Sequence, residues 1–113
     1  MSTVQRGQIR FAPITNTAGA GTFTLVPAVA GQSVVVIGFC LMLTGTTPTL
    51  IFQDDAANAL SGAFSGTTST ITCMGSRIDP IMATAKGQAF QMVLTGTSAQ
   101  ARGFMVYCLE DAQ

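Results

Sequence analysis

The sequence contains no histidine and no tryptophan, and only 9% of its 113 residues are charged. Without histidine, the chain lacks the commonest general base, the Ser-His and Cys-His nucleophile pairs and the usual zinc ligand sets. The adjacent carboxylates Asp54 and Asp55, followed by Asn58, are typical of a turn rather than of a catalytic acid and base. We therefore expect no enzymatic activity, no metal and no other cofactor.

Charge of either sign is scarce, since five basic residues balance five acidic ones and Lys86 is the single lysine. Nucleic-acid binding needs several Lys or Arg side chains on one face, so we expect no nucleic-acid partner. The longest apolar run, residues 34–43, is about half of the roughly 20 residues that span a bilayer. The first ten residues also lack the apolar stretch of a signal peptide. We expect no membrane partner.

The chain has three cysteines, Cys40, Cys73 and Cys108, at wide spacing and among apolar or strand-like neighbours. This pattern favours free, buried, structural thiols, which fit a reducing cytoplasm. One disulfide is the alternative. A three-cysteine metal site is disfavoured because no two cysteines are closely spaced.

Threonine is abundant, with sixteen residues, and twelve glycines accompany it. This composition favours pleated strands and tight turns over helices. We predict an all-β chain, an antiparallel sandwich or small barrel, with residues 1–20 as an N-terminal arm carrying one short strand and residues 21–113 as a single domain. The predicted strands are residues 22–27, 33–43, 49–53, 59–65, 69–74, 89–95 and 102–109, joined by turns that include residues 45–48, 66–68, 79–87 and 96–98.

Two of the predicted strands are apolar on both faces, which a strand in a single sandwich does not require. Apolar residues make up 48% of the chain, more than one small core needs, so we expect the second face to meet another subunit. The predicted subunit interface consists of Val35, Ile37, Phe39, Leu41, Met105 and Tyr107.

Residues 28–107 resemble small jelly-roll accessory proteins of tailed-phage virions, a group that includes capsid decoration (cement) proteins and head- or tail-fibre modules. The segments that carry this resemblance are VPAVAGQSVVVIGF, LIFQDD, ALSGAF, ATAKGQAFQMVLTGT and RGFMVY. The resemblance implies a jelly-roll-like antiparallel β-sandwich. It also implies a homotrimer located on the capsid surface of a virion that is assembled in the host cytoplasm.

The function that follows from this resemblance is that of a capsid decoration protein, which binds the major capsid protein and stabilises the shell without chemistry. The predicted contact lies in the arm, at Arg6, Ile9, Arg10 and Phe11. The alternative is a receptor- or glycan-binding module of a phage head or tail fibre, in which loops around Asp54 and Asp79 meet a host glycan.

Overall fold

The computed structural model describes residues 9–16, 19–65, 69–75 and 81–111. These residues contain β-strands and no helix, which confirms the predicted all-β class. The strands are β1 (Arg10–Asn16), β2 (Gly21–Val26), β3 (Gln32–Asp54), β4 (Phe64–Ser65), β5 (Ser69–Gly75), β6 (Met82–Ala83) and β7 (Phe90–Asp111).

Two long antiparallel strands, β3 and β7, form the centre of one sheet. The beginning of β3 pairs with the end of β7, from Gln32 opposite Asp111 to Asp54 opposite Phe90. Strands β1 and β2 pair with successive parts of β7, whereas β4, β5 and β6 pair with β3. Every pairing is antiparallel.

Both long strands bend at the same level, where Thr46 lies opposite Thr97 and the pairing is irregular. The bend is built twice from one motif, Leu-Thr-Gly-Thr followed by Thr or Ser, at residues 43–47 and 94–98. In each copy the glycine has a positive φ, 124° at Gly45 and 116° at Gly96, a conformation in which a side chain is strained. The two occurrences of the motif therefore give the pair of strands β3 and β7 a local pseudo-two-fold axis at its centre.

The bend divides the sheet into two parts. The first half-sheet comprises residues 32–44 of β3, residues 100–111 of β7, and strands β1, β5 and β6. The second half-sheet comprises residues 49–54 of β3, residues 90–95 of β7, and strands β2 and β4.

The inner faces of the two half-sheets share one hydrophobic core. Phe39 and Phe52 lie thirteen positions apart on β3 and would be about 43 Å apart on a straight strand. Their ring centroids are 5.0 Å apart, so the strand folds back on itself between them. Phe52 also stacks on Phe90 of β7 at 5.2 Å. The core thus lies between the two half-sheets.

The structure merges four predicted strands into two. Residues 33–43 and 49–53 belong to the single strand β3, and residues 89–95 and 102–109 fall almost entirely in β7. The predicted turns at 45–48 and 96–98 were wrong, because the two glycine-threonine segments pair with each other inside the long strands. Only Phe64 and Ser65 of the predicted strand 59–65 are strand, and the predicted turn 79–87 contains β6. The predicted turn at 66–68 lies outside the described residues.

A β-bulge in β3 changes which residues share a face. The pairing with β7 shifts between Val36 and Gly38, so Ile37 is an additional residue without its own partner position. One extra residue inverts the alternation of a strand from that point on. Val34 and Val36 before the bulge therefore face the core together with Phe39, Leu41 and Leu43 after it. The strict alternation assumed from the sequence was wrong at this position.

The segment predicted to be an arm contributes strand β1 to the sheet. Residues 10–16 pair with Tyr107 through Ala101 of β7 over their whole length. Ala12 and Ile14 are buried in the core, whereas Phe11 and Pro13 point outward. Residues 1–8, which include Arg6, lie outside the described residues.

The prediction that all cysteines are free was wrong for two of them. Cys40 on β3 lies opposite Cys73 on β5, with Cα atoms 4.0 Å apart, and the two form a disulfide. The strand register explains the bond, because directly opposed residues of antiparallel strands have neighbouring Cβ atoms. Cys108 is buried, as predicted, and lies within hydrogen-bonding distance of the Glu110 carboxylate, with 3.8 Å between Sγ and Oε2.

Candidate interaction surfaces

The outer face of the first half-sheet, turned away from the core, is apolar. Strand register places three rows of residues on this face, across β1, β7, β3 and β5. The central row consists of Pro13, Phe104, Cys40 and Cys73. The row on one side consists of Thr15, Arg102 and Met42, and the row on the other side consists of Phe11, Val106 and Gly38. We call these residues the apolar outer face.

Two phenylalanines make this face unusual for a protein surface. Phe11 is 71% exposed and Phe104 is 47% exposed. Val106, Cys40 and Met42 beside them are half-buried. Large apolar side chains that cluster on a surface are typical of an interaction site rather than of scattered exposure.

Arg102 is the charged residue of the apolar outer face among the described side chains. Its guanidinium donates a hydrogen bond of 3.1 Å to the side-chain oxygen of Gln100, two residues back along β7. Gln100 lies on the side of Arg102 away from Phe104. The positive charge of Arg102 is thus directed toward Gln100 and away from the row that contains Phe104.

The outer face of the second half-sheet has a different chemistry, being rich in hydroxyl and amide groups. The side chain of Gln53 donates to Gln91 over 3.0 Å, and Gln91 donates to the hydroxyl of Thr24 over 3.4 Å. Thr49 and Thr95 lie opposite each other two rows further along this face, with the half-buried Ile51 and Val93 in the row between. This face can form hydrogen bonds with a partner without ion pairs.

The structure places the predicted interface residues mainly in the interior of the chain. Phe39, Leu41 and Met105 belong to the hydrophobic core of this single chain, and Val35 is buried as well. Ile37 and Tyr107 are half-buried. The sequence missed the outward residues Phe104 and Pro13. Both faces of β7 are apolar, so alternation alone does not show which one is outward, and Pro13 lies in the segment that was predicted to be an arm.

The predicted contact residues of the arm are exposed where they are described. Ile9 is 58% exposed, Arg10 is exposed beside it, and Phe11 follows at the start of β1. Strand β1 pairs with β7 along one edge, and no second partner lies along its other edge among the described residues. These three residues thus occupy the free end of an edge strand.

A cleft of about 430 Å³ opens between β1 and β2, where these two strands diverge along β7. Its apolar lining comes from Phe23, Leu25, Met92 and Pro13, and its polar lining comes from Thr15, Thr24 and Asn16. Asn16 is held by a hydrogen bond of 2.9 Å from its side-chain nitrogen to the Gly19 carbonyl. The cleft combines an aromatic ring with uncharged hydrogen-bonding groups.

The predicted turn after β3 is confirmed, and Asp54 organises it. The buried Asp54 carboxylate accepts hydrogen bonds from the backbone N–H groups of Ala56 (2.9 Å) and Asn58 (3.0 Å) and from the Asn58 side chain (3.1 Å). The backbone bond from Asn58 is the main cause that lowers the pKa of Asp54, and it outweighs the opposing effect of burial. Since these bonds occupy the carboxylate, Asp54 is unsuited to contact a host glycan, and Asp79 lies outside the described residues.

Within the described ranges, no group of three or more His, Cys, Asp and Glu side chains is placed to hold a metal ion. No helix long and apolar enough to cross a membrane occurs in the same part of the chain. Comparison of the chain with protein-family models, with curated proteins and with solved structures finds no match in any of the three.

Proposed function

We propose that this protein is a structural protein of a phage virion, a capsid decoration protein that binds the major capsid protein and stabilises the shell through contacts alone. The finer description of the fold as a jelly-roll sandwich and the location on the capsid surface belong to the same proposal. They come from the resemblance of residues 28–107 to virion accessory proteins.

One observation in the structure carries the proposal: an edge strand, β1, with exposed residues at its beginning. Ile9 is 58% exposed immediately before β1 and the charged Arg10 beside it is exposed, whereas Phe11 belongs to the apolar outer face. Exposed apolar residues of this size are a source of binding energy when a partner covers them. An edge strand also offers unpaired backbone groups to an added strand.

The experiment measures attachment of the purified protein to capsid shells that lack it. Removing residues 2–20 would be uninformative, because Ala12 and Ile14 of β1 complete the core. We instead propose the double variant Ile9→Glu/Arg10→Glu, in which both altered side chains are exposed. Loss of shell attachment with an unchanged thermal midpoint is the expected result.

The matched control is Val29→Glu/Lys86→Glu, which replaces an exposed aliphatic residue and an exposed basic residue elsewhere on the surface. This control should attach as the parent does. Quantitative mass spectrometry of purified virions adds a second criterion, since a decoration protein is present in hundreds of copies per particle. If the Ile9→Glu/Arg10→Glu double variant attached as well as the parent, that result would contradict the role of β1.

The cleft between β1 and β2 favours a second candidate, the receptor- or glycan-binding module of a fibre. A half-buried aromatic ring with neighbouring hydroxyl and amide groups is suited to an uncharged sugar, and Phe23 with Thr15 and Thr24 supplies these groups. Binding to a panel of host glycans that Phe23→Ala abolishes, with only tens of copies per virion, would support this function over decoration.

A further inference from the structure

We infer that the apolar outer face is covered by the same face of a second copy of this chain, in a two-fold symmetric pair. The inference goes beyond the proposed function, since it concerns how copies contact each other rather than what the virion protein binds. It also assigns different residues to the contact from those that the sequence indicated.

The position of Phe104 determines the direction from which a partner must come. Phe104 lies on β7, which is flanked by β1 on one side and by β3 on the other. A partner that adds to the edge of the sheet would leave this ring exposed. Only a surface that lies over the face, such as another sheet packed about 10 Å above it, covers Phe104.

The charge distribution favours a second copy as that surface. When a face packs against itself, a charge on it can be paired only by an opposite charge of the same face, so a face without such pairs must be almost free of charge to make a self-contact. The described side chains of this face include one charged group, Arg102, whose guanidinium is bound to Gln100 and directed away from the Phe104 row. Two copies can therefore stack their apolar rows without burying an unpaired charge.

The size of the face predicts how tightly the copies bind. Four strands about 4.8 Å apart and three rows about 7 Å apart give a face of about 400 Å² on each copy. Two such faces bury about 800 Å² in total, below the 1,200–2,000 Å² of typical stable complexes. The pair should therefore be reversible and should form at micromolar rather than nanomolar concentration.

Sedimentation velocity of the full chain over a range of protein concentrations tests the inference. The parent protein should pass from monomer to dimer in the micromolar range. Phe104→Gln should weaken the dimer by at least about tenfold, since it removes the central apolar contact. Val29→Gln is the control, because Val29 is exposed at 37% in the loop before β3 and lies off the face. It should associate as the parent does.

A pair of charge insertions tests the same face independently of the phenylalanine. Thr15 and Thr22 are both exposed strand threonines, Thr15 on the apolar outer face and Thr22 on the second half-sheet. Thr15→Lys should abolish the dimer, because the lysine would be buried beside Arg102, whereas Thr22→Lys should leave it intact. Circular dichroism and thermal unfolding confirm that each variant is folded.

Three outcomes would overturn the inference: a parent protein that stays monomeric throughout the range, a trimer in place of a dimer, or a folded Phe104→Gln variant that dimerises like the parent. None of these bears on shell attachment, which the Ile9 and Arg10 variants measure separately. A monomer that still attaches to shells would leave the proposed function standing and end the two-fold pair. A Phe104-dependent dimer that attaches to no shell would support the two-fold pair and contradict the proposed function.

Discussion

At the scale of single residues, Gly103 is a position with no room for a side chain. A Cβ atom there would collide with the Cys40 carbonyl oxygen and would lie 2.6 Å from the Leu41 Cα atom, both on the backbone of β3. Because backbone cannot move aside without breaking the ladder, we expect Gly103→Ala to lower the free energy of unfolding by roughly 3 kcal/mol or more. Urea denaturation measures this loss.

Gly62 is the matched control for this substitution. A Cβ atom at Gly62 would meet nothing within 4 Å, and this glycine does not have a positive φ. Gly62→Ala should change the stability by less than about 0.5 kcal/mol. If the two substitutions lowered the free energy of unfolding equally, β3 and β7 would not approach each other closely at Gly103.

Asp54 makes the stability dependent on pH in the acid range. Its pKa is lower in the folded chain than its ordinary value of about 4, chiefly because the backbone N–H of Asn58 donates to the carboxylate. The folded state therefore binds this proton less readily than the unfolded state does. The resulting stabilisation is complete above the unfolded-state pKa and is lost as the pH falls through the folded-state pKa.

Replacing Asp54 tests this assignment. Asp54→Ala should cost about 1 to 3 kcal/mol at neutral pH, since two backbone donors lose their acceptor. The difference from the parent should shrink below about pH 4. Thermal unfolding between acid and neutral pH measures both effects, and Asp55→Ala, at an exposed position, is the control. A difference that is constant across this pH range would contradict the role of the ionised carboxylate.

At the scale of strands, the Cys40–Cys73 disulfide joins β3 to β5. The two cysteines are 33 positions apart, and closing a loop of that length in the unfolded chain is expected to stabilise the fold by about 2 to 4 kcal/mol. Adding a reductant to the parent, or replacing Cys73 by serine, should lower the thermal midpoint. The reductant should have no further effect on the Cys73→Ser variant, and a midpoint of the parent that is insensitive to reduction would contradict the bond.

The strands also show how far the sequence predicts this fold. Alternation and turn residues located β2 and β5 to within one or two residues, and the absence of helical periodicity gave the all-β class. Two features were hidden because they depend on pairing between distant segments. The bulge at Ile37 inverted the faces of β3, and the segments around Gly45 and Gly96 were taken for turns although they pair with each other.

The repeated Leu-Thr-Gly-Thr motif was a signal that could have revealed the second feature. Two identical bends on strands that pair antiparallel imply a local two-fold axis, and this places Leu43 and Leu94 in equivalent positions. The residues of the apolar outer face were harder to predict from the sequence. Phe11 was assigned to a contact from its place in the arm, whereas Phe104 became an outward residue only once the register of β1, β7 and β3 was known.

At the scale of the whole molecule, each half-sheet presents an outer face away from the shared core, and neither face depends on ion pairs. The first is apolar around Phe104, and the second carries threonine and glutamine side chains, of which Gln53, Gln91 and Thr24 are joined by hydrogen bonds. A protein with two faces of different chemistry, each almost free of charge, can contact a copy of itself with one and a different partner with the other. This division fits a protein whose function is assembly.

Because the apolar outer face carries almost no charge, the proposed self-association should have a specific thermodynamic signature. Screening by salt weakens contacts between opposite charges, but it has little effect on apolar burial. The dimer dissociation constant should therefore change by less than about twofold between roughly 50 mM and 500 mM sodium chloride.

Temperature should affect the dimer more strongly than salt does. The stabilisation from burying apolar surface weakens on cooling, and the burial is accompanied by a negative heat-capacity change, so the dimer should dissociate more readily near 5 °C than near 35 °C. Sedimentation velocity at several salt concentrations and dilution calorimetry at several temperatures measure the two dependences. A dimer that salt weakens tenfold, or that cooling strengthens, would require charged or polar contacts that the Phe104-centred face does not supply.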